Sequence, residues 1–346
     1  MAINSYQMTM KANLTRLPIM KLILTSLLLT LATQIALAQT ETYAEKLGFP
    51  KGKKVVILHV DDAGMSYDSN IGTINAIDKG IANSTSVMMP CGWVPHFFAY
   101  LKEHPNVDAG VHLTLTSEWK NYRWYPIVGR DKAPGLYDGQ GSFWPEVADV
   151  VAHATPDEVE AEVRAQLARY RSFGFQPTHM DSHMGTLFEP KFIERYVKVA
   201  IDEKIPILFP GGHAALISKT NRLAAPMQQM ARQLGKQLWD AGLPVLDDLD
   251  GSITSLNLPA GAKDSDLQKF KTQKFIELLN TVQPGLTYII MHCTAPTPTF
   301  DLISSSGQSR KGDMLGMMDP VLKAYIEKEG IIVTTWRELM ERRKKL

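Results

Sequence analysis

Residues 54–66 read KVVILHVDDAGMS, an apolar, β-rich run that ends on two adjacent aspartates, Asp61 and Asp62. Successive side chains on a strand point to opposite faces, so these carboxylates should not serve one site while the chain keeps its pleat. A carboxylate turned into a buried sheet is also costly unless something pairs with it. Either one aspartate caps a following helix, or the strand bends so that both reach a common centre. Ala63-Gly64 offers a place for that bend. His59 shares the Asp61 face and reads as structural.

Similar β-rich runs recur at 84–89, 108–115, 177–183, 205–209, 244–248, 286–292 and 331–335. Helical patterns lie between them, at 155–173, 191–203, 222–241, 266–281 and 314–328. The first of these is the most explicit. Thr155 with Glu158 forms a capping box, Pro156 takes the first helical position, and Gly174 ends the segment. Val159, Val163, Leu167 and Tyr170 supply its apolar stripe. Eight strands alternating with helices predict a parallel α/β sheet, either an open doubly wound sheet or a (β/α) barrel of the TIM type. Asp61, Asp62, His112, His183 and His292 all fall at C-terminal strand ends, where barrels place their chemistry. That favours the barrel, distorted or incomplete.

The chain begins with a basic, acid-free stretch, an apolar run over 22–32 and the small-x-small triplet Ala36-Leu37-Ala38 before Gln39. This predicts a secretory leader at 1–38 and one exported domain at 39–346. No Cys follows the cleavage point, so no lipid anchor is expected. Losing the leader turns the near-neutral balance of 37 basic and 36 acidic side chains slightly negative, and no nucleic-acid footprint remains. Cys91 and Cys293 are too few for a disulfide framework, and the sequence leaves their pairing and the oligomeric state open. Within the domain, residues 117–154 form an irregular, aromatic-rich insertion. Its Trp119 and Trp124 are candidate sugar-stacking residues; the competing reading is that these rings pack into a core of the loop's own. DDLDGS at 247–252 reads as a turn with a solvated face.

In PTHMDSH, His179, Asp181 and His183 alternate and share one strand face. In GVHLTLT, His112 shares a face with Thr114 and Thr116. Polar groups so placed in a barrel interior need a ligand or a network. Two imidazoles and one carboxylate leave open positions on a metal, which suits hydrolysis by activated water. One of the paired aspartates would then be a ligand and its neighbour a general base.

VDDAGMS, STSVMM, GVHLTLTSEW and PTHMDSH resemble, in order and spacing, the motifs of the YdjC-like carbohydrate deacetylases of the ChbG/HpnK type. The resemblance implies a barrel-like fold, a divalent metal and removal of an N-acetyl group from an amino sugar or short oligosaccharide. By motif it makes Asp62, His112 and His183 the metal ligands, Asp61 the general base and His292 the acid for the leaving amine. Asp181, with His179 on the same face, would support the ligands from behind; the rival assignment has Asp181 as ligand and Asp62 as helix cap. An imidazole-rich site favours Zn²⁺ or a similar transition ion, and the family leaves Mg²⁺ open. The chain departs from the family at Ala63, at Met184-Gly185-Thr186 and at Cys293-Thr294, which reshapes the pocket. Two other classes compete: a metal-free glycoside hydrolase, against which the clustered histidines argue, and a non-catalytic glycan-binding protein, which would have no use for a base.

Overall fold

The computed structural model describes residues 41–346 apart from 223, 257, 259 and 260. The expected leader at 1–38 lies outside them. Among the described residues, seven parallel strands form one sheet: β1 (Lys54–Ala63), β2 (Ser84–Val87), β3 (Ala109–Leu113), β4 (Met180–Ser182), β5 (Asp248–Asp250), β6 (Gly285–Met291) and β7 (Ile332–Val333). Their order is β4-β3-β2-β1-β6-β5, and β7 pairs with the start of β1.

The sheet curls, and its two edges meet through a segment that the sequence marks as a full strand. Residues 205–210 make isolated parallel bridges, Met180 to Ile207 on one side and Pro210 to Leu246 on the other. Proline at 206 and 210 removes two ladder donors there, which limits the pairing. The result is a distorted (β/α) barrel with one thin seam.

Alternation along β1 sorts its two faces. Val56, Leu58 and Val60 pack outward with Phe275, Leu279, Met314 and Met317. Val55 and Ile57 point inward and form an apolar floor with Leu208, Leu246, Tyr288 and Trp336. His59 and Asp61 continue that inward face above the floor, where the interior becomes polar. Burying Val, Leu and Ile side chains of this kind is worth about 1.5–3 kcal/mol each, so the floor carries the stability that the polar layer does not.

The helix expected at 155–173 spans Pro156–Ser172, with both arms of the Thr155–Glu158 capping box made. The pattern at 314–328 is two helices, Gly307–Met317 and Pro320–Lys328, because Asp319 caps a new start and Pro320 occupies its first position. The pattern at 222–241 is the helix Ala225–Asp240, and a separate short helix, Ala215–Asn221, precedes it. DDLDGS is not a solvated turn. Asp247, Asp248 and Asp250 are buried; Asp247 accepts the backbone N–H groups of Tyr43, Ala44 and Leu286, and Asp248 those of Leu216 and Ile217. Carboxylates at helix starts are satisfied in this way without exposure. Cys91 and Cys293 are buried free thiols. Among the described residues no helix is long and apolar enough to cross a membrane.

Candidate metal centre

The opening conflict of the two aspartates is resolved by backbone conformation. Asp62 has φ 67°, and the β1–β2 register shifts between Val60 and Ala63. The bend therefore lies at Asp62 itself, one residue before the expected Ala63-Gly64. Gly64 follows with φ 82°, where a Cβ would press into Val87 and Val94. Ser66, not Asp62, caps the helix Tyr67–Asp78. Both carboxylates now face one centre: His292 Nε2 lies 3.9 Å from Asp61 Oδ2 and 3.8 Å from Asp62 Oδ2.

β3 and β4 bring in the imidazoles. Asp62 Oδ1 is 3.3 Å from His112 Nε2 and 3.5 Å from His183 Nδ1, and those nitrogens are 3.3 Å apart. The opposite nitrogens are engaged by carboxylates: His112 Nδ1 donates to Asp181 Oδ1 at 2.7 Å, and His183 Nε2 to Glu118 Oε2 at 3.1 Å. In the neutral rings these bonds put the hydrogens on the outer nitrogens and leave two lone pairs facing the Asp62 oxygen.

Three acceptors turned toward one another call for positive charge. Asp62 Oδ1 is buried without a hydrogen-bond donor, a defect worth about 1–3 kcal/mol or more. Ligands at ~2.0–2.1 Å on a tetrahedral ion stand about 3.3–3.4 Å apart, which matches the triangle's edges. The residues present thus fit a divalent ion with three protein ligands. The charges around the triangle act in the same sense. Burial works against the charged forms, yet Asp181 and Asp61 hold the His112 imidazole well above its usual range, and Glu118 and Asp62 push His183 up to about 9. Burial likewise opposes the ionised Asp62, but Arg310, His292 and the two imidazoles hold it well below the carboxylate range.

Asp181 lies behind His112, with its second oxygen 3.1 Å from both His59 Nε2 and the Tyr288 hydroxyl. His59 is also 3.1 Å from Asp61 Oδ1 and bonds Ser84 and Ser86. His179 stacks on Trp336, and its Nε2 stands 3.7 Å from Asp181. Asp181, His179 and His59 thus form a buried layer between the triangle and the floor.

Two site residues have no counterpart in the sequence reading. Glu118 sits in the quoted GVHLTLTSEW, and its place behind His183 follows only once the loop folds back. Arg310 bonds Asp62 Oδ2 and lies over Trp119, 5.6 Å from the ring centroid. It is on the first turn of Gly307–Met317, upstream of the helix expected from 314; the Asp319-Pro320 cap signal would have revealed that earlier helix. His292 owes its position to the buried Lys271–Asp313 pair, whose carboxylate accepts the His292 backbone N–H.

The buried side chains of the insertion at 117–154, Trp124, Leu136, Phe143 and Val150 among them, join the cluster that also holds Met65, Val87, Val111 and Leu113, so the loop packs onto the barrel rather than around a core of its own. Trp124 is buried, donates its indole N–H to the Thr116 carbonyl and packs on Trp119, Tyr122 and His183. It has no free face for a sugar, which corrects the stacking role expected of it. Trp119 remains at the site's edge against Arg310 and Phe300.

Fold and site together define a (β/α)-barrel protein with a candidate metal centre at its C-terminal strand ends. The chain belongs to the YdjC-like protein family, whose sequence model matches residues 55–328. It is 28% identical over 297 residues to a carbohydrate deacetylase of Thermus thermophilus, covering 86% of this chain and 97% of that one. It is 33% identical over 155 residues to a carbohydrate deacetylase of Brevibacillus brevis, covering 45% of this chain and 59% of that protein. The fold is shared with a crystal structure from Enterococcus faecalis, assigned provisionally to cellobiose-phosphate cleavage. The TM-score is 0.65 at 19% identity, over 83% of this chain and 99% of that one.

Proposed function

We propose that this protein is an exported, metal-dependent carbohydrate deacetylase that hydrolyses an N-acetyl group on an amino sugar or short oligosaccharide. The observation that carries this reading is the Asp62–His112–His183 triangle with Asp61 beside it. The names of the relatives support the substrate class. A divalent ion held by the triangle would supply a Lewis acid for the acetyl carbonyl and make water acidic enough to attack it.

The chain's own groups divide the remaining work. Asp61 is the general base, and its Oδ2 faces the same space as Asp62. The proton it takes has a short path to His292 Nε2, 3.9 Å away. Burial and the Arg310 charge push His292 down to about 4, so the ring is neutral at pH 7 and becomes a strong acid once protonated. It can then deliver the proton to the departing nitrogen. Arg310 holds Asp62 by Oδ2, the oxygen turned away from His112 and His183.

The purified protein, loaded with Zn²⁺, should release acetate from β-1,4-linked N-acetylglucosamine oligomers and lose that activity on chelation. Acetate release that survives complete metal removal would defeat the metal reading. Export rests on the leader-like pattern at 1–38. The secreted or periplasmic chain should begin at or near Gln39, and a mass that retains residues 22–32 would contradict it.

A further inference from the structure

Tyr67 and Trp93 are each 43% exposed, although both emerge from the tightly packed turns that follow β1 and β2. Their ring centroids are 5.3 Å apart with planes inclined at 56°. The imidazole of His96 closes the corner, 5.5 Å from Tyr67 and 5.8 Å from Trp93. Gly92 next to Trp93 is exposed and has open space beside it.

This corner is fixed to the strand end that carries the paired aspartates. Asn70 is fully buried. Its Oδ1 accepts the Gly64 N–H at 2.6 Å, and its Nδ2 donates at 3.0 Å to both the Trp93 carbonyl and His96 Nδ1. The Trp93 N–H returns to the Gly64 carbonyl at 3.1 Å. One buried amide thus ties the aromatic corner to a residue two positions beyond Asp62. Because Nδ1 of His96 accepts, its neutral ring carries hydrogen on Nε2, which bonds no described residue. The Tyr122 hydroxyl donates to the Met65 carbonyl at 2.7 Å, which sets the insertion against the same turn.

From this geometry we infer that Tyr67, Trp93 and His96 form a sugar-binding subsite for a further ring of an oligosaccharide whose acetylated unit lies at Asp61 and Asp62. The inference rests on the deacetylase reading and adds chain length to it. Aromatic faces are electron-rich and accept the polarised C–H face of a pyranose, while the free imidazole N–H suits a hydroxyl. The tether keeps the ledge at a constant distance from the reacting centre, as a processed oligomer requires. Tyr67 lies five positions after Asp62, a span of at most about 18 Å, which a short oligosaccharide can cover.

The test compares wild type, Trp93→Ala and Tyr67→Ala on β-1,4-linked N-acetylglucosamine dimer through pentamer. The Trp93 contacts to Gly64 and Asn70 are made by its backbone, so Ala preserves them; thermal melting checks the fold. In wild type kcat/KM should rise with chain length. In either variant that rise should shrink by about tenfold, through KM. The same loss at every length, or an unchanged rise, overturns the subsite. Calorimetric titration with pentamer runs in parallel and does not depend on turnover. If wild type released no acetate, the function reading would fail on these substrates, and the titration would still decide the ledge. About tenfold weaker binding by Trp93→Ala supports it; equal affinity, or no binding by wild type, overturns it.

Discussion

Asp61→Asn should lower kcat for acetate release by about 10²–10⁴-fold while metal content and KM stay close to wild type. Asparagine keeps the shape of the side chain but accepts no proton at neutral pH, so the loss isolates the base. Asp62→Asn should behave differently. It weakens a ligand, so metal occupancy falls and excess metal restores part of the turnover. Metal analysis and steady-state kinetics on the two variants separate the roles that adjacency in the sequence confounds. Normal turnover by Asp61→Asn would refute the mechanism even if the metal centre stood.

His112→Ala and His183→Ala should each remove most of the bound metal and bring acetate release to background, with the fold retained because the apolar floor lies below the site. Glu118→Gln gives a graded companion. It removes the charge behind His183 without touching the triangle, and metal affinity should drop about 10–100-fold. The direction with pH follows from the same groups. His183 is raised to about 9, and a metal must displace its proton, so metal affinity should climb as pH rises toward that value and uptake at pH 7 should release protons. Full metal content in either alanine variant would show that the triangle is not the site.

Much of this was legible in the sequence where the signal is local. The Thr155–Glu158 box and Pro156 define a helix start through contacts three residues apart, and the helix begins there. Strict alternation put His59 with Asp61, and His179 with Asp181, on one interior face. What escaped the sequence depends on groups far apart along the chain. Glu118 stands behind His183 because a loop returns to the barrel mouth. Arg310 reaches Asp62 from 248 residues away. DDLDGS looks solvated by composition, yet Asp247 and Asp248 are buried because backbone N–H groups from other segments meet them. Trp124, aromatic and near the site, was absorbed by the packing of the loop onto the barrel, a choice that composition does not encode.

The left-handed backbone of Asp62 narrows what can ever occupy that position. A non-glycine residue there carries a steric penalty of about 1–2 kcal/mol, which short side chains such as Asp and Asn bear most readily. Glycine suits the angle but brings no oxygen, and glutamate brings oxygens but fits the angle poorly. Two unrelated filters, one conformational and one chemical, therefore overlap on almost a single amino acid. A library randomised at this codon should consequently return aspartate even under selection for folding and metal retention alone, with no demand for catalysis.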